Sequence, residues 1–124
     1  MVDGWKEQDL NGIRSKLADF ANERDWDQFH TPRNLVLALV GEVGELAEIF
    51  QWKGEVRPSV PELSLEEKQH LAEELADVGL YLIRLSDRCG IDLGEVMLSK
   101  IAKNAHKYPV DKAKGKSDKY TAYS

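Results

Sequence analysis

The chain has 124 residues, the size of one ordinary domain, and 42% of them are hydrophobic. Its 17 Lys and Arg residues against 22 Asp and Glu residues give a net charge of -5, which argues against general binding to nucleic acid. No apolar run is long enough to cross a membrane, no signal peptide is recognisable, and the single cysteine, Cys89, fits a reducing compartment, so we expect a cytoplasmic protein.

Two helices are predicted in the first half of the chain. The first runs from about Gln8 to Asp27, and its apolar face consists of Leu10, Ile13, Leu17 and Phe20. The second begins after Thr31, a good N-cap residue, with Pro32 at the first helical position, where a missing N–H does no harm. Its apolar pattern continues to about Trp52.

Residues 53–64, KGEVRPSVPELS, contain two prolines and a glycine and predict a loop. A third helix is predicted to begin after Ser64, because Glu67 follows three residues later and completes a capping box. The Cys-Gly pair at 89–90 predicts the end of this helix.

A fourth helix is predicted from the N-cap residue Asp92 to about Tyr108, where Pro109 stops it. The fold class is therefore all-α: a four-helix bundle over residues 1–109, followed by a polar, lysine-rich tail over residues 110–124 that we expect to be extended or partly disordered. The apolar faces of the second and third helices are broad for so small a domain, so we also expect a homo-oligomer.

Paired carboxylates are the most distinctive chemical feature of the sequence. The second helix contains GEVGELAEIFQWK, in which Glu42 and Glu45 lie three positions apart and share a helical face. The third helix repeats this spacing with Glu74 and Asp77, in ELAD. Four carboxylates around one space repel one another, and a hard cation such as Mg²⁺, which takes oxygen ligands, removes that repulsion. The spacing is therefore compatible with a magnesium site.

The acid rows also have a plainer interpretation, because ExxE spacings are common on solvated helix faces. Against it, these acids interleave with apolar residues and glycines, which is not a surface composition. Glu48 extends the first row and is a candidate further ligand, a candidate base, or simply exposed. Both interpretations stay open at this point.

Other metal sites fit the sequence less well. A di-iron bundle needs Glu-x-x-His from each of two helices, whereas EKQH, residues 67–70, occurs once and its Glu67 already serves as a cap. Zinc needs a cluster of cysteine and histidine ligands, whereas three histidines and one cysteine are scattered along the chain.

The acids lie in segments that resemble a known family. Residues 23–53, ERDWDQFHTPRNLVLALVGEVGELAEIFQWK, and residues 73–83, EELADVGLYLI, are similar to the all-α nucleoside triphosphate pyrophosphohydrolases of the MazG-like superfamily, and most of all to the dCTP pyrophosphatases. The resemblance implies Mg²⁺-dependent cleavage of a nucleoside triphosphate to a monophosphate and pyrophosphate, in dimers or, more in keeping with the likeness, a homotetramer. The acids that match the family's metal ligands are Glu42, Glu45, Glu74 and Asp77.

The resemblance also implies a substrate site. The residues matching aromatic walls of the base pocket are Trp26 and Trp52. Those matching base or sugar contacts are Tyr81 and Asn104. Those matching groups that reach the phosphates are Arg88, Lys100 and Tyr108. Animal enzymes of this kind have a histidine at the position of Leu17, so a strict cytosine preference does not follow from the resemblance.

The predicted reaction is hydrolysis of dCTP, or a modified dCTP, to dCMP and pyrophosphate, which cleans the nucleotide pool. The four acids would hold Mg²⁺, and Glu45 or Glu48 would take a proton from the attacking water. Two alternatives stay open: a broader house-cleaning pyrophosphatase for non-canonical nucleotides, and a non-catalytic helical module that oligomerises.

A few further residues carry expectations of their own. Arg84 is expected to form a surface ion pair, and His30 to precede the Thr31 cap rather than to act in catalysis. Three glycines are expected to let the second and third helices, or a subunit partner, approach closely, or else to leave space for the base. They are Gly41, Gly44 and Gly79.

Overall fold

The computed structural model describes residues 4–117 and Thr121. All regular structure within these residues is helical, which confirms the all-α prediction, and each of the four predicted helices is present. Along the described part of the chain, no helix combines the length and the apolar character that crossing a membrane requires. The chain divides into two compact units, Met1–Gly90 and Ile91–Ser124.

The first helix is shorter than its apolar pattern predicts. Helix α1 spans Leu10–Glu23, and the Asp9 carboxylate caps it by accepting a backbone N–H at its start. The helix ends before the predicted Asp27 because Asp25 adopts a φ of 56°, a left-handed conformation that does not continue a right-handed helix. A short 3₁₀ turn, Asp27–Phe29, then leads into the next helix.

Helix α2 spans Pro32–Phe50 and begins as predicted, because the Thr31 hydroxyl accepts a hydrogen bond from the backbone N–H of Asn34. The helix packs along α3, and Leu35 on its inner side is only 2% exposed. A second row of residues, on a different side of α2, remains exposed. This row, the exposed α2 stripe, consists of Leu37, Val40, Gly41 and Gly44.

Helix α3 spans Leu65–Arg88 and contains the predicted capping box: Ser64 accepts from the Glu67 backbone, and the Glu67 carboxylate accepts from the Ser64 backbone. The Lys53 ammonium also pairs with Glu67. That pair, together with the bond from Ser64, lowers the pKa of Glu67 to about 2. The loop that follows α2 is thereby tied to the start of α3.

The glycines of α2 and α3 do not serve close contact between these two helices. A Cβ built at Gly41, Gly44 or Gly79 would meet no facing atom within 4 Å among the described residues. The expectation that they let α2 and α3 approach closely is therefore wrong within one chain. The space beside them is open to a ligand or to a second copy.

The second unit contains helix α4, Leu93–Lys107, which begins at the predicted cap, where Asp92 accepts from the Glu95 backbone N–H. Beyond it lies a short helix α5, Val110–Ala113, where an extended tail was expected. The φ of proline suits the start of a helix, and Pro109 stands directly before α5. Residues 118–120 and 122–124 of the predicted tail lie outside the described residues, and the domain boundary at residue 109 stays a prediction.

Burial within a single chain is limited. Among the described residues the buried apolar side chains are Ala21, Leu35 and Leu63. An equal number of polar residues is buried: Glu74, Arg84 and Ser86. Because burying charge is costly unless it is compensated, the surroundings of Glu74 and Arg84 on α3 mark the places where function is to be sought.

Candidate active site

Carboxylates from α2 and α3 meet where the two helices pack. One carboxylate oxygen from each of three acids lies within 4.8 Å of the others; the acids are Glu42, Glu45 and Glu74. Glu74 is the most buried of them, with 10% of its side chain exposed, whereas Glu45 is exposed. These three residues form the acid cluster.

The acid cluster is short of positive charge. Glu42 Oε2 and Glu74 Oε2 are both buried, and no donor among the described residues forms a hydrogen bond with either. Burial, followed by the contact with Glu74 and the negative charges of Glu45 and Asp77, raises the pKa of Glu42 to about 7. Either a proton or a cation is therefore needed to relieve the repulsion among these groups.

The acid cluster fits a hard divalent cation. Carboxylate oxygens are the ligands that Mg²⁺ and Ca²⁺ take in proteins, and the two buried oxygens without donors would gain a partner. Asp77 lies three residues beyond Glu74 on α3, and its charge reaches Glu42. The described acid cluster does not include Asp77, and its part as a fourth ligand stays a prediction.

His70 belongs to this neighbourhood and was not singled out from the sequence. Its Nε2 lies 3.3 Å from Glu74 Oε1, one helical turn away on α3. With Oε1 engaged by the imidazole, Oε2 is the oxygen of Glu74 that remains for a cation. The i, i+4 spacing of His70 and Glu74 predicts this contact, because such residues are neighbours on a helix. A search for Glu-x-x-His pairs, which have i, i+3 spacing, does not detect it.

A cavity of about 240 Å³ has Asp77 in its wall, three residues beyond Glu74 of the acid cluster on α3. Two of the expected substrate-binding residues, Trp26 and Tyr81, also line it. The apolar part of the wall consists of Leu17, Phe20 and Leu80. The remaining polar groups of the wall belong to His30 and Arg84. A flat apolar ring and an attached anionic group could thus occupy the cavity and the cluster together.

Arg84 is not the surface ion pair that the sequence suggested, because the residue is only 4% exposed. Its Nη2 donates to Asp27 Oδ1 at 2.7 Å, and its Nε donates to His30 Nδ1 at 2.9 Å. The helical register explains the burial. Arg84 follows Tyr81 by three residues and Asp77 by seven, so it lies on the same side of α3, where the 3₁₀ turn covers it.

His30 follows the 3₁₀ turn directly and stands before the Thr31 cap, as predicted. Its ring, however, is also part of the cavity wall and accepts the hydrogen bond from Arg84. Burial and the nearby Arg84 charge lower the pKa of His30. Both effects favour the neutral form of the imidazole.

Arg88, an expected phosphate ligand, holds the backbone of the 3₁₀ turn. Its Nε donates to the His30 carbonyl at 3.0 Å, and its Nη2 donates to the Asp27 carbonyl at 3.3 Å. An arginine has five N–H donors, so some remain for a phosphate. Its part in phosphate binding stays a prediction.

Two expected site residues stand apart from the acid cluster and the cavity. Trp52 follows the end of α2 and is 87% exposed. Glu48 lies one turn beyond Glu45 and is exposed, and the described acid cluster does not include it. Their predicted parts, as a wall of the base pocket and as a base, stay predictions.

The other expected substrate residues belong to the second unit. Lys100 and Asn104 lie on α4, and Tyr108 is its C-cap, with its backbone N–H donating to the Asn104 carbonyl at 2.8 Å. The Lys107 ammonium, seven residues along, lowers the pKa of Lys100. This side of α4 therefore carries a concentration of positive charge, to which Lys103 adds.

Comparison with known proteins bears on these observations. The sequence profile of the MazG-like family matches residues 38–122, which include all four acids of the two paired rows. The chain belongs to the MazG-like family. The match covers most of the chain, including α3 and α4.

Two curated proteins and one solved structure are similar to this MazG-like chain over most of its length. Mouse dCTP pyrophosphatase 1 (Mus musculus) is 51% identical over 93% of this chain and 68% of its own length. The human protein of the same name (Homo sapiens) is 53% identical over the same shares. The crystal structure of a pyrophosphatase from Archaeoglobus fulgidus DSM 4304 superposes with a TM-score of 0.73 at 34% identity, and the match covers 87% of this chain and 99% of that one.

Proposed function

We propose that this protein is a nucleoside triphosphate pyrophosphohydrolase that cleaves dCTP, or a modified dCTP, to dCMP and pyrophosphate and so cleans the nucleotide pool. The observation that carries the proposal is the acid cluster beside a cavity walled by Trp26 and Tyr81. It occurs in a chain that is 51% and 53% identical to proteins named dCTP pyrophosphatase 1. The activity is therefore that of a hydrolase acting on a phosphoanhydride.

The metal in this proposal is Mg²⁺. The residues that would hold it are Glu42, Glu45, Glu74 and Asp77. When bound, such an ion neutralises phosphate charge and lowers the pKa of a coordinated water. The fit is supported by the two buried oxygens, on Glu42 and Glu74, that have no donor.

The protein side chains bind, orient and move a proton. The base lies in the cavity against Trp26 and Tyr81, and its far side is covered by Trp52. Glu45, or Glu48 beyond it, accepts the proton of the attacking water. The groups that bind the sugar edge and the phosphates are Asn104, Arg88, Lys100 and Tyr108.

Assembly as a homotetramer, a dimer of dimers, is part of the proposal. It is supported by the exposed α2 stripe, where Leu37 is 55% and Val40 is 65% exposed. Trp52, at 87% exposure, would gain cover from a second copy. A cytoplasmic location is also part of the proposal and rests on the single cysteine, Cys89.

The decisive experiment is to incubate the purified protein with dCTP and MgCl₂ and to identify the products by ion-exchange chromatography. We expect dCMP and pyrophosphate in equal amounts. Asp77→Asn should lower kcat/KM by about a hundredfold or more, because it removes a charge next to the phosphates. Glu66→Gln, an exposed acid in the first turn of the same helix, is the matched control and should be fully active. Absence of pyrophosphate with the wild-type protein would overturn the proposal.

A broader house-cleaning activity has one observation in its favour. Leu17, an apolar residue, forms part of the cavity wall and offers no hydrogen bond to a base. Comparing kcat/KM for dCTP, 5-substituted dCTP, dUTP, dTTP and dATP decides between the two. A preference for dCTP of less than about tenfold, or roughly 1.4 kcal/mol, would favour the broader enzyme.

A further inference from the structure

Arg84 is a buried cation that the proposed reaction does not use. It lies in the cavity wall three residues beyond Tyr81, and it is 4% exposed. Its charge is compensated by Asp27, whose Oδ1 is 2.7 Å from Nη2, and by Asp87, whose Oδ2 is 3.6 Å from Nη1. Both Nη atoms of Arg84 thus face carboxylates, which fixes the position of the buried guanidinium. The atom that its Nε–H contacts is therefore fixed as well.

The Nε–H of Arg84 fixes the tautomer of His30. An arginine N–H can only donate, so the His30 Nδ1 atom, 2.9 Å away, must be an acceptor without a proton. A neutral imidazole carries one proton, which is then on Nε2. Any hydrogen bond that the His30 ring makes to a ligand in the cavity is therefore donated by Nε2–H.

The backbone around His30 is held by the same helix. Arg88, one turn beyond Arg84, donates to the carbonyl oxygens of His30 at 3.0 Å and Asp27 at 3.3 Å. Arg84 therefore binds the side chain of His30, and Arg88 binds the main chain on either side of the 3₁₀ turn. A hydrogen bond discriminates between ligands only when its direction is fixed. These contacts fix the orientation of His30, so its ring is suited to selecting between ligands.

We propose that His30 is a specificity-determining residue, a hydrogen-bond donor that selects a base with an acceptor atom facing this wall, and that Arg84 is the positioning residue that imposes the Nε2–H form. The inference rests on the proposed function, because it takes the cavity as the base site. Cytosine carries such acceptors in its unprotonated ring nitrogen and its carbonyl oxygen. Leu17, Phe20 and Leu80 of the same wall have no polar side-chain atoms and cannot provide this selection.

The His30 arm of the test measures binding of dCMP and of 2-deoxyribose 5-phosphate by calorimetry in the presence of MgCl₂, together with KM and kcat for dCTP. His30→Phe keeps a ring but has no donor, and we expect it to weaken dCMP binding and raise KM by roughly fivefold to tenfold, with kcat little changed. Binding of 2-deoxyribose 5-phosphate, which lacks a base, should not change. His30→Gln restores an N–H donor and should recover most of the affinity.

If the wild-type protein cleaves dCTP and His30→Phe binds dCMP as tightly as the wild type does, the inference is overturned and the proposed function stands. A wild-type protein that neither cleaves dCTP nor binds dCMP would overturn both. Equal weakening of dCMP and 2-deoxyribose 5-phosphate would also count against the inference, because it would place the effect of His30 away from the base.

The Arg84 arm uses nitrogen-15 NMR of the histidine side chains, which distinguishes a protonated ring nitrogen from an unprotonated one. In the wild-type protein we expect His30 with a bare Nδ1 and a protonated Nε2. In Arg84→Met this preference should be lost and dCMP should bind less tightly, whereas Arg84→Lys should keep part of both. If Arg84→Met does not fold, the wild-type spectrum still decides, because a His30 protonated on Nδ1 would overturn the inference.

Discussion

At the scale of single residues, Glu42 links the site to the stability of the fold. Its surroundings raise its pKa to about 7 from an ordinary value of 4.5. Between these two values the folded chain keeps a proton that the unfolded chain has released. The free energy of unfolding must therefore fall as the pH rises through this window, and it changes little from this cause above or below it. We expect the Tm of the metal-free protein to decrease from about pH 5 to about pH 8, as measured by circular dichroism.

Glu42→Gln is the control for this pH dependence. The amide has no charge to lose, so the variant should show a flatter Tm profile over the same range. Millimolar MgCl₂ should raise the wild-type Tm at the alkaline end, where the acids are ionised, and should raise that of Glu42→Gln much less. Identical pH slopes for the wild type and the variant would show that Glu42 does not carry the effect.

Glu45 and Glu48 are the two candidates for the base that accepts the proton of the attacking water, and their positions differ. Glu45 contributes an oxygen to the acid cluster, whereas Glu48 is exposed outside it. We expect Glu45→Gln to reduce kcat for dCTP by about a hundredfold or more and Glu48→Gln to reduce it by less than about tenfold. Steady-state kinetics at saturating MgCl₂ measures both. A loss in Glu48→Gln as large as that in Glu45→Gln would instead assign the proton transfer to Glu48.

At the scale of helices, capping determined how much could be predicted. The starts of α2, α3 and α4 follow from Thr31, Ser64 and Asp92, because each side-chain oxygen meets a backbone N–H a few residues along, which is a local interaction. The end of α1 did not follow, because its apolar pattern continues past the left-handed Asp25. The burial of Arg84 was also missed, since it depends on the 3₁₀ turn that covers it.

The acids illustrate the same limit within the site. Spacing along each helix placed Glu42 with Glu45 and Glu74 with Asp77, but only the packing of α2 on α3 brings the two pairs together. The contact of His70 with Glu74 is local, and so it was accessible from the i, i+4 spacing. The link between Arg84 and His30 joins residues far apart in the chain, for which a single sequence contains no signal.

Helix α2 offers a test of why a helix retains glycines. A Cβ at Gly44 meets no facing atom, so Gly44→Ala should stabilise the subunit by about 0.5–1 kcal/mol in urea denaturation, through helix propensity alone. Gly44 also belongs to the exposed α2 stripe, so the added methyl should weaken subunit assembly. Gly12→Ala in α1, where a Cβ would make an ordinary contact with Asp9 at 3.8 Å, should bring a similar gain without affecting assembly. If Gly44→Ala assembles as well as the wild type, the glycine does not serve contact between subunits.

At the scale of the whole molecule, the question is what covers the apolar surface. One chain fully buries few apolar side chains, whereas the exposed α2 stripe presents Leu37 and Val40 at 55% and 65% exposure. At 100° per residue, Val40 lies on the opposite side of α2 from Glu42, so a change there need not disturb the acid cluster. The stripe is therefore a suitable place to test assembly separately from the chemistry of the site.

Val40→Asp should place a charge in an apolar contact between copies, and the cost of burying it should dissociate the assembly. Light scattering coupled to size exclusion should show the wild type as a tetramer and the variant shifted toward the 14.0 kDa chain. Ser15→Asp, at an exposed position on α1, introduces the same charge and should leave the mass unchanged. Circular dichroism should show that both variants remain helical. If Val40→Asp stays tetrameric, the copies meet through a different surface, and the apolar faces of α3 become the next candidate, since Leu75 there is 53% exposed.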